Sequence, residues 1–135
     1  MKVLQFGLDG DERNEHNPAR YGINSVAYTG THDNDTCKGW YASLFSWQKR
    51  EARKGTKKRL FESIADAMIR TLYESEARLV VVPVQDFLGE GHEARVNTPG
   101  TVGAWNWSYR LRAVPNDKIA RKMREAVKKH AQKRG

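Results

Sequence analysis

The strongest constraint on the fold is an apolar run in the middle of the chain, "RLVVVPVQDF", from Arg78 to Phe87. Its apolar positions are continuous rather than alternating. A strand with one wet face alternates; a continuous run predicts a strand covered on both faces, as in a parallel sheet flanked by helices. Two shorter strand-like stretches precede it, "KVLQF" (Lys2 to Phe6) and "SVAYT" (Ser25 to Thr29). Two helical patterns lie between the second stretch and the run. From about Thr36 to Arg53, Trp40, Leu44 and Trp47 form one stripe that Tyr41 and Phe45 widen, and Gly55 interrupts it. From about Lys57 to Glu76, Leu60, Phe61, Ile64, Ala65, Met68, Ile69, Leu72 and Tyr73 share a face. A glycine-rich loop follows the run. "WNWSYRL" then reads as a short extended piece, and Pro115-Asn116 opens a basic helix. Ile119, Met123, Ala126 or Val127, and His130 recur on it at helical spacing. The order strand, loop, strand, helix, helix, strand, loop, helix predicts an α/β fold with parallel pairing and right-handed crossovers.

The chain of 135 residues is the size of one domain. Its 39% hydrophobic and 30% charged content implies a limited core. The net charge of +8 is uneven. From Asp117 to Gly135, eight Lys/Arg face two acids, so this tail carries +6 and the remaining body is nearly neutral. The tail reads as a helix with a solvated basic face and Ile119, Met123 and Val127 turned inward. Nucleic-acid binding is the weaker reading, because no recognised motif is present and aromatics do not interleave with the cations. The single Cys37 excludes an intrachain disulfide and fits a reducing compartment. No apolar run approaches the ~18 residues of a membrane span, and the start is not signal-like. A cytoplasmic protein without a membrane partner is expected. The four histidines lack metal-ligand spacing, so no metal and no cofactor is expected.

In parallel α/β proteins ligands bind at the carboxyl ends of the strands. Three polar clusters fall there: Gly7 to Asn24, Gly30 to Thr36, and Gln85 to Trp105. In the second, "YTGTHDNDTCKGW" (Tyr28 to Trp40), Asn34, Asp35 and Thr36 compete to cap the following helix. His32 and Asp33 lie upstream of that cap. A His beside a fixed carboxylate can bond vicinal sugar hydroxyls and stabilise positive charge developing at a reacting carbon. From these residues alone, helix initiation and ligand binding both stand. Gln85 and Asp86 end the third strand, either orienting a pocket or making structural hydrogen bonds. Trp40, Tyr41 and Trp47 read as core; Trp105 and Trp107 flank the last loop and stay open.

"MKVLQF", "VAYTGTHDNDTCKGWY", "LVVVPVQDFLGEGHEARVNTPGT" and "NWSYRL" closely resemble, in order from Met1 to about Leu111, the C-terminal part of the 4-alpha-glucanotransferases. These are also called amylomaltases or disproportionating enzymes and belong to the alpha-amylase clan. "TGTHDNDT" and "ARVNTPGT" carry most of the specificity, as two rare strings at suitable spacing. The resemblance implies the C-terminal portion of a (β/α)8 TIM barrel. Residues 1–114 would supply about three βα units, strands six to eight, and residues 115–135 the last barrel helix. It implies transfer of α-1,4-glucan segments between maltooligosaccharides by a retaining mechanism, using an Asp nucleophile, a Glu acid/base and a third, transition-state-stabilising Asp. The third carboxylate matches Asp33, and its neighbour matches His32. "RVNTPGT" matches a loop that closes over glucan, with Asn97 and Pro99 as its sugar contacts.

The nucleophile and the acid/base match nothing in this chain. Asp9, Asp11, Glu12, Glu15, Glu90 and Glu93 fit none of the family's motifs. The expectation is a fragment beginning at an internal Met and inactive alone. Its open sheet edges would pair with the missing barrel part or a second copy. A non-catalytic glucan-binding remnant is the alternative.

Overall fold

The computed structural model describes residues 1–134, with side chains described through residue 128. Three short strands, β1 (Lys2–Val3), β2 (Val26–Tyr28) and β3 (Leu79–Val81), form one sheet in the order β1-β2-β3. Both pairs are parallel, as expected. The register puts Lys2, Ala27 and Val80 in one row and Val3, Tyr28 and Val81 in the next, so the rows face opposite sides. Ala27 is fully buried and Val80 packs on the core. Leu79 and Val81 remain 54% and 39% exposed. The expected two-sided cover of the third strand is thus met on one face only.

The strands are also shorter than the apolar runs. "RLVVVPVQDF" pairs only over Leu79–Val81, because Pro83 has no N–H to give a ladder. Pro83 instead precedes a short helix, α4 (Val84–Leu88), which Gly89 ends in the left-handed region at φ 69°. Gln85 and Asp86 therefore lie on a helix and not at a strand end. "KVLQF" leaves the sheet after Val3 and turns into a 3-10 helix at Leu4–Gly7. There Gly7 lets the following loop fold back: a Cβ at this position would lie 1.8 Å from the His16 carbonyl oxygen. The Val3 N–H donates to His16 Nδ1 at 3.0 Å, and the buried Tyr21 hydroxyl donates to the His16 carbonyl at 2.9 Å.

The first helical pattern divides into α1 (Cys37–Ser43) and α2 (Ser46–Gly55). Gln48 accepts the Phe45 N–H at 2.9 Å and starts α2 afresh. Trp40, Tyr41 and Leu44 pack on the core, whereas Phe45 and Trp47 are exposed. Trp47 is therefore not a core residue. The second pattern becomes α3 (Ile64–Glu74), shorter than expected because Ser63 caps it by accepting the Asp66 N–H at 3.0 Å. Ile64, Ala65, Met68, Ile69 and Leu72 are buried as the periodicity predicts; Leu60 and Phe61 are exposed on the loop before the cap. Asn116 accepts the Ile119 N–H at 3.2 Å and opens α5 (Asp117–Arg134), which packs on α3 and α4. Ile119, Met123 and Ala126 are half-buried; Val127 is exposed, so Ala126 takes the inward place. The expected place of the His130 side chain lies outside the described residues. "WNWSYRL" forms no strand; a turn occupies 104–107. No helix among the described residues is long and apolar enough to cross a membrane.

Candidate active-site cleft

The turn after β2 is built from its own short side chains. Asn34 Oδ1 accepts both the N–H and the hydroxyl of Thr31, each at 2.9 Å, and the Asn34 N–H returns to the Thr31 carbonyl at 3.1 Å. Asn34 thus closes the turn and does not cap the helix. Thr36 is the cap, accepting the Gly39 N–H at 3.0 Å. Asp35 accepts the Thr36 N–H at 2.7 Å. The next free donor, the Cys37 N–H, is taken at 2.7 Å by Asp86 Oδ1 from α4. Asp86 Oδ2 accepts the Thr29 hydroxyl at 2.6 Å. Asp86 is therefore a buried clip joining the end of β2, α1 and α4. Burial raises the Asp86 carboxyl above its ordinary range; the Cys37 thiol is raised first by burial and then by the Asp86 charge.

His32 and Asp33 stand outside this clip and face the loop after α4. Asn97 Nδ2 donates to Asp33 Oδ1 at 2.7 Å, and His32 Nε2 lies 3.3 Å from the same oxygen. The Asn97 N–H donates to the His32 carbonyl at 3.1 Å. Arg95 donates to the carbonyls of Asp33 and Asn97, both at 2.8 Å, and so ties the two loops through backbone. On its other side the His32 ring meets Trp107, with centroids 5.1 Å apart and planes 34° apart. Trp107 is held in the left-handed region at φ 61° while its N–H donates to the Val96 carbonyl at 2.7 Å.

The structure thus brings His32, Asp33 and Asn97 into one bonded cluster. Pro99 lines the same open cleft as Asp33, which has a volume of about 780 Å³. Asp33 Oδ2 makes no hydrogen bond among the described residues and is the oxygen left for a ligand. A fixed carboxylate of this kind, beside a His and at the mouth of a cleft, can stabilise a cation that develops on a bound molecule. The sequence left Trp107 open, and its packing on His32 is decided by the fold; the roles of Arg95 and of an Asp35–His92 pair were not anticipated. Arg95 sits inside the "ARVNTPGT" string and was findable there. The partner of Asp35 is 57 residues away and had no local signal.

A family model described as 4-alpha-glucanotransferase, glycoside hydrolase family 77, matches residues 1–116. The chain is 42% identical over 113 residues to a 4-alpha-glucanotransferase of Clostridium butyricum, covering 83% of this chain and 23% of that protein. It is 37% identical over 131 residues to the chloroplastic/amyloplastic 4-alpha-glucanotransferase of Solanum tuberosum, covering 94% and 23%. A solved amylomaltase from Streptococcus agalactiae, in complex with acarbose, superposes with a TM-score of 0.92 at 31% identity, covering 97% of this chain and 27% of that one. The chain spans about a quarter of the length of these relatives. With the motif strings, the parallel sheet and the family match over most of its residues, it belongs to the 4-alpha-glucanotransferase family.

Proposed function

We propose that this chain supplies one wall of an active site that transfers α-1,4-glucan segments between maltooligosaccharides by a retaining mechanism. Its three βα units correspond to strands six to eight of a (β/α)8 barrel. Asp33 is the carboxylate that stabilises the oxocarbenium-like transition state; His32, Asn97 and Pro99 hold the sugar. The observation that carries this reading is the Asp33 carboxylate, held through Oδ1 by Asn97 with His32 close by, on a residue that lines the cleft. A neutral donor and a close imidazole hold the group without cancelling its charge, so it needs no reorganisation when positive charge forms.

Retaining chemistry also needs two carboxyl groups about 5–5.5 Å apart across the scissile bond. Besides Asp33, the carboxylate lining the cleft is Asp35, and both of its oxygens are engaged within the protein. On this reading the nucleophile and the acid/base are not among this chain's residues, and the chain by itself is expected to release no glucose from maltotriose.

A chimera tests the assignment. Residues 1–116 replace the matching segment of the Clostridium butyricum relative, and glucose release from maltotriose is followed. The chimera is expected to be active, and Asp33→Ala to lower kcat by about 10²–10³-fold, the effect of removing one preorganised electrostatic group. A folded chimera whose Asp33→Ala variant keeps full activity overturns the proposal.

A further inference from the structure

We propose that His92 binds a glucosyl unit of the glucan, its imidazole oriented by Asp35 so that Nε2 faces the cleft that holds Asp33. The inference rests on the glucan-transfer reading and adds a subsite to it. His92 opens a 3-10 turn (His92–Ala94), and its Nδ1 lies 2.6 Å from Asp35 Oδ2. The Asp35 side chain is only 12% exposed, whereas that of His92 is 73% exposed.

Asp35 has little freedom to move. Its Oδ1 accepts the Thr36 N–H at 2.7 Å, and its carbonyl accepts from Gln5 Nε2 at 2.7 Å. Gly39 leaves the space it fills, since a Cβ there would lie 2.4 Å from Asp35 Oδ1. An ionised carboxylate only accepts, so the proton between the two groups belongs to Nδ1. In its neutral form the imidazole then presents Nε2 as an acceptor, with its plane set from behind. His92 lines the same cleft as Phe6, Trp40, Asp33, Arg95 and Pro99. Apolar faces beside outward-facing acceptors suit a neutral polyol. Its C–H faces lie on Phe6, Trp40 and Pro99, and its hydroxyls donate to Nε2. The carboxylates of Asp33 and Asp35 disfavour an anionic ligand in the same space.

The competing role is a simple tie between two loops. Two isosteric variants separate them. His92→Asn places an amide where Nδ1 was and keeps the bond to Asp35, but it removes the Nε2 acceptor. His92→Gln reaches the Nε2 position and gives up the bond to Asp35. The full chain is run by affinity electrophoresis in gels containing amylose, with thermal melts in parallel. The subsite predicts retardation of the wild type, about five-fold weaker binding for His92→Asn with an unchanged melt, and better retention by His92→Gln. A mere tie predicts the reverse order, with binding following the melt. In the unmutated chain, the His92 Nε2 resonance is expected to shift when maltoheptaose is added; an unmoved signal under saturating sugar overturns the subsite. A wild-type chain that is not retarded overturns the subsite, while the glucan-transfer reading stands or falls with the chimera. Retardation that Asp33→Ala weakens and His92→Asn leaves untouched removes the subsite alone.

Discussion

Asp86 is the residue whose loss would disturb the cleft most from a distance. Its two oxygens satisfy the Thr29 hydroxyl and the Cys37 N–H, so Asp86→Ala leaves two buried donors unpaired. The expected loss is roughly 3 kcal/mol of stability, read from urea melts. Burial raises the folded pKa of Asp86 above the ordinary 3.8. Within the window between those two values the native state holds a proton that the unfolded state releases, so stability falls as pH rises through it. Asp86→Asn is expected to remove that slope. Glu62 works in the opposite sense. The Arg70 hydrogen bond holds it below the ordinary 4.5, so its contribution is present above 4.5 and is lost as pH falls through the lower folded value. Urea melts of Glu62→Gln are expected to lack this acid loss. Gly7→Ala brings a methyl against the His16 backbone, which no rotamer change relieves, and should cost about 1–3 kcal/mol and free the first loop. At this scale the motif strings made His32, Asp33, Asn97 and Pro99 legible. Their contiguity is itself the signal. The Asp86–Thr29 and Asp35–His92 bonds each span 57 residues, and no local pattern encodes a partner that distant.

Among the elements, periodicity located the helices better than it bounded them. The apolar rhythm of α3 extends back through Leu60 and Phe61, yet the helix starts only after Ser63. Arg70 explains where the preceding loop goes. It bonds Glu62 at 2.8 Å and the carbonyls of Thr56 and Lys57 at 3.0 and 3.2 Å, holding that segment outside the helix. Phe61 sits at φ 64°, a strained conformation for an L residue, and its ring is exposed. Ser63→Ala is expected to cost about 1 kcal/mol by removing the cap. Met68→Ala, on the fully buried face, is expected to cost about 2–5 kcal/mol by leaving a cavity. Chemical melts of the two variants should differ accordingly, and equal losses would contradict the assigned start of α3. The division of α1 from α2 was hidden for the same reason: Trp40, Leu44 and Trp47 keep helical spacing across a break made by Gln48.

For the whole molecule, the consequence lies in the sheet. Among the described residues its outer strands, β1 and β3, have one neighbour each, and the Leu79 and Val81 side chains of β3 are exposed. Unpaired strand edges and exposed apolar side chains favour pairing with another chain. The isolated protein is expected to self-associate in sedimentation velocity, and paired Leu79→Lys and Val81→Lys substitutions to shift it toward monomer. A wild-type chain that sediments as a single monomer at high concentration contradicts this. From residue order alone follow the parallel α/β class, most of the buried face of α3 and the polar cluster that follows β2. Each is written in local periodicity or in contiguous motif residues. The folded chain was needed to decide where the strands stop, which of three candidates caps α1, and that His92 leans on Asp35. Those outcomes turn on space and hydrogen-bond partners that only packing supplies: the Pro83 turn, the gap at Gly39 and a carboxylate brought in from α4.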